Sequence, residues 1–239
     1  MAPNDGGLYV KMMSSMRTGH KMGNTIRFLK LPLILTDTRL YAGAISNFYW
    51  LTHTLERALV CAKEDKMIRV LRDGLGLPDR APAYEKDLQQ LLGDDWRVEA
   101  LKFRTAATDA YCAILEAAPP EELVGAAFIL YGALVVGGGK KTQAKVRNIF
   151  PSCDHALFDV AEDMDAARQR FRQTFSTVGE QWPDHVETFT KQSQRFMALN
   201  NTVLGSIRCM PYWWWKATVV AGVFGVCVVT SYRVGWRAK

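Results

Sequence analysis

No C-x-x-C pair occurs in this sequence, and its five cysteines (Cys61, Cys112, Cys153, Cys209, Cys227) are scattered and odd in number. That excludes a disulfide framework or a zinc ribbon and favours a reducing, cytosol-facing setting. No G-x-x-x-x-G-K-[ST] can be built around Gly137–Gly139, so those glycines are not a phosphate loop. Long basic runs are missing too, and the aromatics do not interleave with the basic residues. Although the net charge is +6, nucleic acid is therefore not an expected partner. Dispersed positive charge suits anionic lipid headgroups or the carboxylates of an acidic ligand. Acidic residues are absent from Leu8 to Leu29, where Lys11, Arg17, Lys21 and Arg27 lie among Met12, Met13, Met16 and Met22. A mitochondrial transit peptide has this composition as well, whereas no apolar run here is long enough for a secretory signal.

What is present reads as helix. The 239 residues, 49% of them hydrophobic, suffice for one packed domain over 1–210 and a tail over 211–239. A first helix is expected over Leu8–Leu29, followed by a break at Pro32. Asp37 or Thr38 can cap a second helix over Arg39–Ala62, whose stripe of Ala44, Phe48, Leu51 and Leu55 has helical spacing. Asp73 to Glu85, with Pro78 and Pro82, reads as a surface connection. Further helices are expected over Val98–Ala118, from Glu121 onward, over Lys140–Phe150, Ala156–Val178 and Asp184–Cys209. Pro119-Pro120 and Pro151 punctuate them. Cys153 and His155 fall in a turn and are too few for a metal site. His53 and His185 read as a packing and a surface residue.

Tyr131-Gly-Ala-Leu-Val-Val-Gly-Gly-Gly-Lys140 interrupts this pattern. Each helical glycine costs about 1 kcal/mol against alanine, so the run is either a simple helix–loop–helix break or a kink that bares backbone to a flat ligand. Arg168 and Arg172, four apart on one helical face, are a solvated basic face by spacing alone. His20 alone would be an ordinary surface histidine.

Taken together, these motifs resemble the heme oxygenase family. There the distal helix carries a tyrosine, then leucine-glycine-aspartate-leucine-serine, then two glycines. Tyr131 meets the tyrosine and Gly137 and Gly138 meet the glycine pair, while Ala133 stands for the first glycine and Leu134 for the aspartate. His20 falls on the proximal ligand position, with Asn24 where the family has a glutamate. Phe48-Tyr49 with Leu55-Glu56 and the Tyr84-to-Trp96 region are similar to later family segments. Phe196, Met197, Asn200 and Leu204 lie where the family seals its pocket.

The resemblance implies an all-α, multi-helix fold with heme as cofactor, His20 as the iron ligand and Tyr131, Arg168 and Arg172 as further heme-binding residues. Phe171 supplies the aromatic that precedes the second basic residue, and two guanidinium groups suit the propionate carboxylates. Leu134, Gly137 and Gly138 take the places of the family's catalytic distal wall. The implied reaction draws oxygen and electrons from a reductase to open heme to biliverdin, iron and carbon monoxide. Leucine cannot replace the aspartate that organises distal water, so a heme-binding or trafficking protein without ring opening is a second reading. A membrane-tethered interaction protein without heme is a third.

Residues 212–232 carry one charge, Lys216. As a helix they would span about 31 Å, against a hydrocarbon core of about 30 Å. Trp213–Trp215 suit an interfacial belt, and basic residues follow Tyr232. The expectation is a C-terminal transmembrane anchor in the endoplasmic reticulum or the mitochondrial outer membrane, with the domain in the cytosol.

Overall fold

The computed structural model describes residues 7–137 and 139–211, omitting the side chain of Lys141. The expected anchor over 212–232, Gly138 and Cys227 lie outside the described residues. Among the described residues no helix is long and apolar enough to cross a membrane. The chain divides into two units, Met1–Arg208 and Cys209–Lys239.

The secondary structure of the first unit is helical throughout the described residues. The order is α1 (Leu8–Ser15), α2 (Arg17–Ile34), α3 (Thr38–Cys61), α4 (Lys66–Leu75), α5 (Ala81–Leu92), α6 (Trp96–Phe103), α7 (Ala106–Ala117), α8 (Pro120–Val135), α9 (Gly139–Ile149), α10 (Met164–Gln181) and α11 (Val186–Ser206). Helix α8 is the centre. It starts on Pro120 with Glu121 and Glu122 in its first turn, where carboxylates meet the positive helix end. It is buried along nearly its whole length, packed against α3, α4, α10 and α11. Its Phe128 interlocks with Phe171 and Phe175 of α10 at centroid separations of 4.8–5.7 Å.

Several expected boundaries move, each for a local reason. The break comes at Met16, and α2 then runs through Pro32 to Ile34. Proline removes one N–H donor, but here the helix has only two more residues to run. Asp37 caps α3 by accepting from the N–H groups of Arg39 and Leu40. The single helix expected over Val98–Ala118 is two, because Asn47 of α3 stabilises a break. Its Nδ2 donates to Phe103 O (3.0 Å) and its Oδ1 accepts from Thr105 N (3.1 Å) and Thr108 Oγ1 (2.6 Å). The helix expected from Ala156 is a 3-10 turn over Ala156–Phe158, and α10 begins only after Asp163 caps it. The expected surface connection over Asp73–Glu85 is shorter, since α4 reaches Leu75 and α5 starts at Ala81.

Buried charges hold that corner. Glu56 accepts from Arg80 N and Ala81 N, and Asp87 accepts from Ala156 N (2.7 Å) and Leu157 N (2.8 Å). Arg80 Nη2 donates to the carbonyls of Ala156 (2.9 Å) and Leu157 (3.1 Å). Burial nevertheless pushes both carboxyl groups up from their ordinary range.

Candidate functional site

A cavity of about 770 Å³ opens between α2, α3, α8, α10 and α11. Each wall follows from its own sequence. Gly19 and Gly23, one turn apart, seat α2 on α11: a Cβ on Gly19 would stand 2.8 Å from Met197 Cγ, and one on Gly23 would collide with Asn201 Oδ1. Asn201 Nδ2 donates to Gly19 O (2.8 Å), while its buried Oδ1 has no partner. This close approach puts His20 in the cavity wall.

Asn24, also in that wall, brings its amide Nδ2 to 3.3 Å from His20 Nδ1. With the NH2 group presented, Nδ1 accepts and the ring proton sits on Nε2. Turned by 180°, the amide oxygen takes an Nδ1–H and leaves Nε2 a lone pair.

The end of α8 also lines the cavity. Both Val136 N and Gly137 N donate to Gly132 O, each at 2.9 Å, so the last turn widens to a five-residue closure. A Cβ on Gly137 would collide with the carbonyl of Ala133 in its own helix. Ala133, Leu134, Val136 and Gly137 therefore form a wall of apolar side chains and bare backbone. Phe128 and Phe171 add aromatic surface.

Cations stand around this apolar interior: Arg27, Lys30, Lys140 and Arg168 all contribute to the wall. Arg168 is steadied by Asp165 (2.8 Å) and by Val135 O (3.3 Å). Lys140 meets Asp159 at 2.7 Å. Lys30 Nζ donates to the carbonyls of Leu204 (3.0 Å) and Gly205 (2.6 Å).

Of the residues singled out from sequence, His20, Leu134, Gly137 and Arg168 are brought to one cavity, together with Met197, Asn200 and Leu204. Two are not. Arg172 is absent from the wall and lies over the ring of Tyr9, 5.9 Å from its centroid. Tyr131 is buried on the side of α8 turned away, nearest among charged groups to Glu56, Asp79, Arg72 and Arg80, and burial holds its phenol far above the usual value. Phe196 stacks on Tyr111 instead of reaching the cavity. His53 packs against Tyr49 and Trp50.

Sequence reading missed the hydroxyl-bearing residues of the wall, Tyr41, Thr52, Tyr84 and Thr142. Tyr41 Oη lies 3.0 Å from His155 Nδ1, and His155 Nε2 lies 3.0 Å from Phe150 O. A carbonyl only accepts, so Nε2 carries the proton and Tyr41 donates to Nδ1. His155, buried with a left-handed φ of 54°, is thus a brace for Tyr41. It also missed Arg27, although the seven-residue step from His20 on one helical face was a usable signal.

A sequence model described as heme oxygenase matches residues 8–204. Among solved structures, heme oxygenase 2 from Chlamydomonas reinhardtii without heme superposes with a TM-score of 0.77 at 25% identity, covering 86% of this chain and 99% of that one. Heme oxygenase-1 from the cyanobacterium Synechocystis sp. PCC6803 in complex with heme gives 0.71 at 19% identity, covering 95% and 99%. Heme oxygenase from Leptospira interrogans gives 0.68 at 16%, covering 83% and 98%; these two likenesses concern the fold. No curated protein sequence matches.

Proposed function

This chain belongs to the heme oxygenase family, and on that premise we propose that it binds heme between α2 and α8, with His20 as the residue that would ligate the iron. One observation carries the reading: a single cavity holds His20 on one wall, Leu134 and Gly137 on another, and Arg168 beside them. The residues fit the group. The volume suits a molecule of that size, in the range of about 300–1,000 Å³ typical of ligand sites. Gly137 leaves bare backbone where a flat ring needs close approach, and the unpartnered Asn201 Oδ1 supplies an acceptor in the wall.

Roles follow from chemistry. His20 serves through a lone pair on Nε2, which requires Asn24 to present its oxygen to Nδ1. Arg168 anchors the propionates by charge-assisted hydrogen bonds, with Arg27, Lys30 and Lys140 as the other cations of the wall. Arg172 and Tyr131 stand outside this set. When bound, heme supplies the iron that activates oxygen and the ring that the family's reaction opens to biliverdin, iron and carbon monoxide. An electron-donating reductase is the partner that reaction requires.

Leu134 favours the second reading, a heme-binding protein with slow or absent ring opening. It places an apolar side chain where an acid would hold water. Tyr41, Thr52, Tyr84 and Thr142 carry the polar side-chain groups closest in kind, and the two phenols, ordinarily protonated at neutral pH, are raised further by burial. Residues 212–232 serve in this proposal as the membrane anchor, leaving the domain in the cytosol.

The test is to add heme to the full chain in detergent and record its spectrum, then supply reductase, electrons and oxygen and analyse the products. A nitrogen-ligated spectrum lost in His20→Ala supports the site. An unchanged spectrum in that variant moves the ligand elsewhere.

A further inference from the structure

Independently of heme, we infer that the outward face of α2 is seated on a bilayer carrying anionic lipid, with Phe28, Leu29 and Leu33 among the acyl chains and Arg17 and Lys21 at the headgroups. Phe28 is 79% exposed, Leu29 63%, Met22 51% and Leu33 45%. Large apolar side chains this exposed on one short element mark an interaction surface. Met22, Leu29 and Leu33, seven and four residues apart, form one stripe, and Phe28 lies beside it. The stripe belongs to neither of the helix's other duties. Gly19 and Gly23 face α11, and His20, Arg27 and Leu31 face the cavity.

Charge selects the occupant. No acidic residue occurs from Gly7 to Thr36, and the first, Asp37, is engaged in capping α3. Arg17 and Lys21 are exposed and make no ion pair among the described residues. Cations at one end of a helix face and apolar residues at the other are the pattern of a helix lying in the plane of an interface. A second copy of this basic chain, docked antiparallel about a twofold axis, would set Arg17 and Lys21 against the apolar Leu29 and Leu33 of its partner and leave the cations without an anion. An acidic protein would satisfy the cations and leave Phe28 and Leu29 without an apolar partner. The surface potential of an anionic leaflet with an acyl interior beneath it satisfies both.

The experiment uses the full chain in vesicles of phosphatidylcholine with and without phosphatidylserine. Phe28→p-benzoylphenylalanine, a photoreactive analogue of the native side chain, is irradiated and its adducts identified by mass. A lipid adduct is expected, rising with phosphatidylserine content. It should fall at least about threefold when Arg17→Glu and Lys21→Glu are added, since each basic residue near an anionic surface contributes appreciably to attraction. Helix content by circular dichroism shows whether those variants still fold. Adducts to protein, whether another copy, residues 212–232 or an added acidic partner, overturn the inference, as does the absence of any adduct.

Discussion

At the scale of single residues the cavity divides sequence reasoning cleanly. His20 and Leu134 were legible because a short motif places them by register alone. Tyr131 was not. It lies three residues from Leu134, a spacing that ordinarily shares a face, but α8 is apolar all round and no stripe marks which side borders the cavity. Arg172 likewise stands outside the wall, because the four-residue step from Arg168 ignores where the cavity ends and Tyr9 begins. The two arginines therefore separate in a test. Arg168→Ala should weaken heme binding roughly tenfold, the loss of about 1.5 kcal/mol or more expected of a charge-assisted bond, whereas Arg172→Ala should leave the titration unchanged. A second expectation concerns the apolar wall. Leu134→Asp should raise the yield of biliverdin from the heme-loaded chain with reductase and oxygen, relative to a slow wild type. Efficient wild-type turnover unaffected by that substitution would assign the water-holding role elsewhere in the wall.

Elements were legible as types and less so as boundaries. Each helical region expected before residue 211 contains a helix, yet α6 and α7 are separate because a residue on another helix, Asn47, satisfies the groups that the break exposes. No local signal reports such a partner. The glycines at the end of α8 were legible as an interruption, but their necessity is visible only in three dimensions. Gly137 packs against the carbonyl of Ala133 in its own helix, so no rotamer change elsewhere can relieve an added Cβ. Gly137→Ala should cost about 1–3 kcal/mol by overpacking, lowering the melting temperature by roughly 2–4 °C per kcal/mol. It should also weaken heme binding, because the displaced backbone is the wall itself. An unshifted melting curve would mean that the end of α8 is less closely held than its geometry implies.

At the scale of the whole molecule, burial of polar aromatics predicts the response to alkali. Tyr41, Tyr49, Tyr84, Tyr111 and Tyr131 are all buried. Burial, the largest cause in each, raises Tyr84 to about 12 and the other four further. In the unfolded chain they ionise near 10. The folded state therefore keeps protons that the unfolded state loses, and their contribution to stability, complete below pH 10, declines as pH rises toward the folded values. Five such groups give a slope of about 7 kcal/mol per pH unit above 10. The phenolate absorbance of these five should consequently appear together with unfolding and not before it. Early absorbance from all five, with the circular dichroism intact, would contradict their burial.

The ammonium of Lys30 is shared between two structures. It stands in the cavity wall and also holds the carbonyls of Leu204 and Gly205, at the negative end of α11. An anion drawn toward Lys30 from inside the cavity competes with those carbonyls for the same three protons. Occupancy and the order of the last turn of α11 are then thermodynamically linked, each opposing the other by the same free energy. A filled cavity would be reported at the point where the chain leaves the helical domain.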